Sequence, residues 1–206
     1  MRRHKLGVLG VLGAGLTVAL GLRYAGDHKP STVDTFVAAA IEQILGGNHM
    51  LLEILAAPST PAVVVGVVVL TAVVCGIRRN RRGVALAVAG YAIPVALNTW
   101  VLKPAFERYY DGYLAYPSGH TVSLVAALTV LALLARSGLP TWTVAAAGAV
   151  LVIAAGIGMV GLGYHYPTDI VGGAAFAIAT TIGTAYAIDT LMHLPPMRRG
   201  DPGQAR

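Results

Sequence analysis

The stretch Asp111-Gly-Tyr-Leu-Ala-Tyr-Pro-Ser-Gly-His120-Thr-Val-Ser-Leu-Val-Ala-Ala-Leu-Thr-Val-Leu-Ala-Leu-Leu-Ala-Arg136 decides the fold. It encloses 24 residues without a charge. Crossing the ~30 Å hydrocarbon core of a bilayer takes about 20 helical residues, within a range of roughly 17–25. Five further gaps between charged residues are also long enough. Lys5 to Arg23 encloses 17 uncharged residues, Glu53 to Arg78 24, Arg82 to Lys103 20, Arg136 to Asp169 32, and Asp169 to Asp189 19. The 32-residue gap is too short for two spans and contains connections, at Gly138-Leu139-Pro140 and at Tyr166-Pro167.

Composition agrees. Of the 206 residues, 56% are hydrophobic and 12% charged, and the mean hydropathy is +0.69. A soluble domain carries about 25% charged residues, so a water-soluble enzyme and a disordered chain are both excluded. The net charge of +6 does not point to nucleic acid, because its distribution follows membrane topology. Six spans put both termini on one side. Arg2, Arg3, Lys5, Arg78, Arg79, Arg81, Arg82, Arg136, Arg198, Arg199 and Arg206 fall on that side, 11 of 15 Lys and Arg. By the positive-inside rule that side is cytoplasmic. Asp27, Asp34, Glu42, Glu53, Glu107, Asp111 and Asp169 fall on the other. The single cysteine, Cys75, excludes an intrachain disulfide.

The expected fold is an all-α integral membrane protein: a six-transmembrane-helix bundle with an extracytoplasmic amphipathic helix between helices 1 and 2. The spans lie at about 6–26, 54–77, 84–103, 118–136, 141–163 and 168–193, within a single membrane domain over 1–206. The basic start and apolar run of residues 1–26 have the look of a signal peptide, but without a clear cleavage site they read as a retained helix. In the segment 31–46, Val33, Phe36, Val37, Ala40, Ile41, Ile44 and Leu45 share one helical face. Ser31 and Asp34 form a capping-box start, and Gly46-Gly47 ends the helix. It lies on the membrane surface or packs as a lid on the bundle. Pro58 and Pro61 set off a short helix over 48–57. Glycines 7, 10 and 13 in the first span, and 156, 158, 161 and 163 in the fifth, suit close helix packing.

Polar side chains near a bilayer are expensive and need a reason. Lys103, Arg108, Ser118-Gly119-His120, His165 and Asp169 all fall at one expected depth. Ser118 opens a helix after Pro117, and the first N–H groups of a helix form an oxyanion site. Gly119 lets an anion approach the backbone. Lys103 and Arg108 can neutralise a phosphate. Asp169, four residues after His165, can bond one imidazole nitrogen and leave the other as a nucleophile. Taken singly, each has a plainer reading. Lys103 is a snorkelling anchor, Ser118 an N-cap, Asp169 a first-turn dipole partner, and His165 an interfacial histidine. Together they point to a phosphate site. There is no Cys/His metal spacing, no P-loop and no nucleophile elbow. The neighbouring tyrosines read as an aromatic belt.

Tyr116-Pro-Ser-Gly-His120 and Gly163-Tyr-His165-Tyr-Pro-Thr-Asp169 resemble the second and third motifs of the type 2 phosphatidic acid phosphatase superfamily, over about residues 84–190. The resemblance implies a six-helix, metal-independent membrane phosphatase without a cofactor. It makes His165 the nucleophile that forms a phosphohistidine, Asp169 its orienting partner and His120 the acid that protonates the leaving oxygen. Ser118 and Gly119 bind phosphate, and Lys103 stands where the first-motif lysine belongs. Two places depart from the family pattern. Tyr110 replaces the first-motif arginine, with Arg108 two residues early, and Gly158-Met159 replaces the Ser-Arg that opens the third motif.

The expected function is hydrolysis of a lipid phosphate or polyprenyl (di)phosphate substrate at the outer face of a membrane, a bacterial inner membrane by its compact, basic-in form. The alternatives are a lipid phosphotransferase using the same phosphohistidine, or a catalytically weakened lipid-phosphate-binding protein.

Overall fold

A computed structural model of the chain describes residues 2–135 and 141–193. Arg136, the connection expected at Gly138-Leu139-Pro140, and Arg198, Arg199 and Arg206 lie outside the described residues. The elements in chain order are α1 (Arg2–Arg23), α2 (Thr32–Leu45), α3 (His49–Ala56), α4 (Pro61–Ile77), α5 (Arg81–Leu97), a π-helical turn (Asn98–Leu102), α6 (Lys103–Phe106), a hairpin of β1 (Tyr109–Tyr110) and β2 (Tyr113–Leu114), α7 (Gly119–Leu134), α8 (Thr141–Gly161) and α9 (Pro167–His193).

Local chemistry sets the boundaries. Ser31 caps α2, and the Asp34 side chain returns a bond to the cap backbone. Pro58 and Pro61 divide the apolar run after Glu53: α3 stops at Ala56, a 3-10 turn covers Ala57–Ser59, and α4 starts with Pro61 at its first position, where the missing N–H costs nothing. α7 starts only at Gly119, because Ser118 caps it directly after Pro117.

Among the described residues, five helical stretches are long and apolar enough to cross a membrane: His4–Arg23, His49–Ile77, Arg81–Phe106, Trp142–Gly161 and Pro167–Met192. α7 is equally apolar but has 16 residues. At 1.5 Å per residue it measures about 24 Å, short of the ~30 Å core. Large apolar side chains such as Val11, Leu12, Leu70 and Ile153 face outward, which suits a hydrocarbon solvent.

α9 is the central helix. α1, α5 and α7 pack along it, α4 packs on α5, and α8 rests on α3. Small residues set how closely these helices meet. A Cβ at Gly13 would stand 2.7 Å from the Ala175 carbonyl oxygen, and one at Gly158 would stand 2.5 Å from Ala56 N and 2.6 Å from Leu52 O. The serine that the family pattern has at position 158 does not fit this crossing of α3 and α8.

The two ends of the bundle differ. At one end, Arg82 forks onto Asp189 with Nε–Oδ1 2.5 Å and a second bond of 3.2 Å, tying the start of α5 to the end of α9. Arg78, Arg79 and Arg81 are exposed at the same end. The polar residues singled out above lie at the other end.

Candidate active site

Three connections converge at that end. In the first, α5 runs into the π turn, and the Lys103 N–H bonds the Asn98 carbonyl. Such bulges recur at functional sites because they re-aim side chains. Lys103 Nζ donates to the Leu114 carbonyl. Asp111-Gly112, both at positive φ, close the β1–β2 hairpin. Asp-Gly between β-formers is a strong short-hairpin signal, and the sequence reading passed over it. Tyr113 on β2 donates to the Tyr164 carbonyl and meets the His165 ring edge-on at 6.2 Å.

The second connection is Tyr116-Pro117-Ser118, entering α7. Ser118 Oγ accepts from Thr121 N at 3.3 Å and from Thr121 Oγ1 at 3.1 Å, so the capping role is real. The N–H groups of Gly119 and His120, at the first two helical positions, have no intrahelical partner and sit at the positive end of the helix. Ser118 N donates to the Asp169 carbonyl at 3.1 Å, which joins the two motif segments directly. Gly172 and Gly173 make this possible. A side chain at Gly172 would strike the Tyr116 ring, and one at Gly173 would come within 2.9 Å of the Ser118 carbonyl.

The third connection runs from α8 through His165 into α9. His165 and His120 face each other with ring centroids 5.9 Å apart, nearly perpendicular at 68°. Asp169 Oδ2 accepts from Tyr166 N at 3.1 Å and lies 3.9 Å from His165 Nδ1. That is ion-pair range but longer than a hydrogen bond. Among the described residues, the buried side-chain nitrogen and oxygen atoms without a partner are Asn98 Oδ1, Arg108 Nε and His165 Nδ1. All three belong to this cluster, and orphaned buried polar atoms cost free energy unless something uses them.

Burial, then the nearby Lys103 and His120, push His165 down to about 3, far below the ordinary 6.5. The ring is therefore neutral across the physiological range. In a titration of imidazole-¹⁵N-labelled protein, His165 is expected to give neutral-ring signals at pH 5, where a free histidine is about 97% charged. The sign for stability follows. Between about pH 6.5 and 3 the unfolded chain takes up a proton that the folded chain refuses, so acid favours unfolding in that window. Burial first, then Tyr110 and Asp169, push Tyr113 up to about 12, so it remains a donor.

Arg108 requires a correction. The sequence reading made it a phosphate ligand. It is 0% exposed, with NH1 bonded to Asp169 Oδ1 and Thr168 Oγ1, each at 2.7 Å, and NH2 to Asp34 Oδ2 at 2.7 Å. The rings of Tyr24 and Tyr166 flank its guanidinium at 4.4 and 4.7 Å. Two carboxylates already satisfy its fork, so only Nε is left without a bond. Met159, in the place of the family arginine, is 1% exposed and packs with Ala56, Val64, Leu124 and Ala127. Lys103, Ser118, Gly119, His120, His165 and Asp169 are brought to one end of the bundle. Asp34, Asn98 and Thr168 also belong to the cluster, and the sequence reading did not single them out as site residues. For Asp34 the only sequence signal was a capping box, which explains one of its oxygens and not the other.

Fold and cluster together define a helical integral membrane protein with two histidines, a lysine and a helix N-terminus at one end of its bundle. Residues 98–192 match the family model of the PAP2 superfamily. A crystal structure described as the first transmembrane PAP2-type phosphatidylglycerolphosphate phosphatase, from Bacillus subtilis, matches with a TM-score of 0.66 at 18% identity, over 95% of this chain and 100% of that one. That likeness is one of fold. No curated protein matches the chain.

Proposed function

We propose that the protein hydrolyses a lipid phosphate or polyprenyl (di)phosphate through a phosphohistidine on His165, without a metal ion. The observation that carries this reading is the pair of facing imidazoles, 5.9 Å apart, over the N-terminus of α7. A nucleophile within about 3–3.5 Å of phosphorus and an acid within about 2.6–3.2 Å of the leaving oxygen are both reachable from rings at that separation.

Neutral His165 attacks phosphorus through Nε2, the nitrogen turned from Asp169. The P–N bond forms as the P–O bond to the lipid breaks. Protonated His120 gives its proton to the departing oxygen. The substrate draws His165 Nδ1 and Asp169 from 3.9 Å into a hydrogen bond, which supports the charge growing on the ring. Water then attacks phosphorus and gives a proton to His120. The P–N bond breaks, and phosphate leaves with His165 restored. Lys103 and the free N–H groups of Gly119 and His120 hold the equatorial oxygens, and the Ser118 hydroxyl hydrogen supports them.

In this reading α7 is a short sixth crossing, and the cluster of arginines at one end of the bundle supports a cytoplasmic position for that end and an outward-facing site. The apolar residues Phe36 and Ile44 of α2 are 76% and 77% exposed, which supports a helix lying in the outer interface. An apolar groove of about 520 Å³, lined by Leu12, Ile41, Val160, Pro167 and Ile170, gives lipid chains a place beside Asp169. The catalytically weakened reading is favoured by one observation: apolar Met159 where the family has arginine. A trapped phosphoenzyme decides against it.

The test is phosphate release in detergent from prenyl, glycerolipid and soluble phosphates. Release from a lipid phosphate, unchanged by EDTA, is the expected result. Release from none of them, or only with added divalent metal, overturns the scheme.

A further inference from the structure

We infer that Asp34, on the helix between the first two spans, is a positioning residue for the site: through Arg108 and Thr168 it fixes the carboxylate of Asp169, and with it the His165 ring. This rests on the hydrolase reading for its kinetic arm and on geometry alone for its spectroscopic one.

Asp34 is fully buried. Oδ2 accepts from Ser31 N at 3.0 Å, as a capping box requires, and also from Ser31 Oγ at 2.8 Å and Arg108 NH2 at 2.7 Å. Oδ1 accepts from Thr168 N at 2.9 Å and from Thr168 Oγ1 at 2.8 Å. The cap residue Ser31 accounts for only the first two bonds. The other three reach Arg108 and the residue next to Asp169.

Thr168 closes the circuit. Its hydroxyl donates to Asp34 and accepts from the same Arg108 NH1 that bonds Asp169. One guanidinium thus neutralises two water-excluded carboxylates, which leaves an excess negative charge beside an imidazole that must become cationic when phosphorylated. Burial alone would push the Asp34 carboxyl up, but the Thr168 and Ser31 donors hold it below the ordinary value, so that charge is present. Without Asp34, Arg108 draws on Asp169 alone, and the Thr168 N–H and hydroxyl lose their acceptor. Asp169 then becomes a poorer partner for His165. Asp34 does not touch substrate in this arrangement.

The experiment compares full-length wild type, Asp34→Asn, Asp169→Asn and the double variant in detergent. Kinetics on a lipid phosphate are read together with imidazole ¹⁵N signals, the His165 signals being assigned by their loss in His165→Asn. For Asp34→Asn, kcat should fall about 10–100-fold, as when a group supporting a catalytic one is lost, with KM within about threefold. The double variant should be no slower than Asp169→Asn, and the His165 ring signals should move in the same direction in both single variants. Unchanged kcat per folded molecule with an unmoved ring, or losses that multiply in the double variant, overturns the inference. Should Asp34→Asn not yield monodisperse protein, Ser31→Ala removes one of the five bonds, the one from the serine hydroxyl. It should give a smaller kcat loss and ring shift of the same kind, and an unmoved ring is again fatal. If wild type releases phosphate from no lipid, the hydrolase reading fails by itself, and the ring signals alone then decide the role of Asp34.

Discussion

His165→Ala abolishes turnover: kcat for lipid phosphate should fall by at least about 10⁴, the scale of losing a nucleophile in a covalent mechanism. The proposed scheme gives the reason. In it Lys103 and the α7 N-terminus hold phosphate but do not attack it, and His120 takes the part of the acid. In that scheme neutral His165 is the ring that forms the P–N bond, and among the described residues His165 is the histidine that lies beside Asp169. Phosphate release is measured on detergent-purified protein with matched thermal stability, since a small cavity at a 5%-exposed position must not be confused with lost chemistry. Trapping with ³²P-labelled substrate is the direct check, and label should appear on wild type and not on the variant. A variant within tenfold of wild type would remove His165 from the reaction.

The second large effect falls on the fold. Arg108→Met leaves Asp34 and Asp169 as two buried carboxylates without their shared cation. Breaking a buried ion pair from one side costs about 3–5 kcal/mol. The expected result is a lower melting temperature and loss of monodisperse protein in size exclusion. The two readings of Arg108 separate here. A phosphate ligand, once removed, leaves a stable protein with a raised KM, whereas a clamp leaves a protein that does not hold its shape. Full stability with only a KM change would return Arg108 to the substrate.

The helical membrane architecture was legible because a bilayer imposes a one-dimensional rule: about 20 residues without charge. Asp111 to Arg136 satisfies it on paper, yet α7 is shorter than its gap because Pro117 and the Ser118 cap delay its start. The hairpin at 109–114 is local too, written in Asp111-Gly112, both at positive φ. His120, His165 and Asp169 were legible as a group because their motifs keep chemistry and spacing together. Arg108 was misread for a physical reason. A lone arginine near a phosphate motif looks like a phosphate ligand until one knows that Asp34, 74 residues earlier, supplies a carboxylate to its fork.

The sequence by itself determined the apolar helices, the caps at Ser31 and Ser118, the glycine-lined crossings and the histidine motifs, since each follows from a few neighbouring residues. Only the tertiary structure decided which partner each buried charge takes. Asp34 and Asp169 share Arg108, and Met159 closes into the core. Pairing energies depend on distance and dielectric between segments far apart in the chain, and a linear reading contains neither quantity.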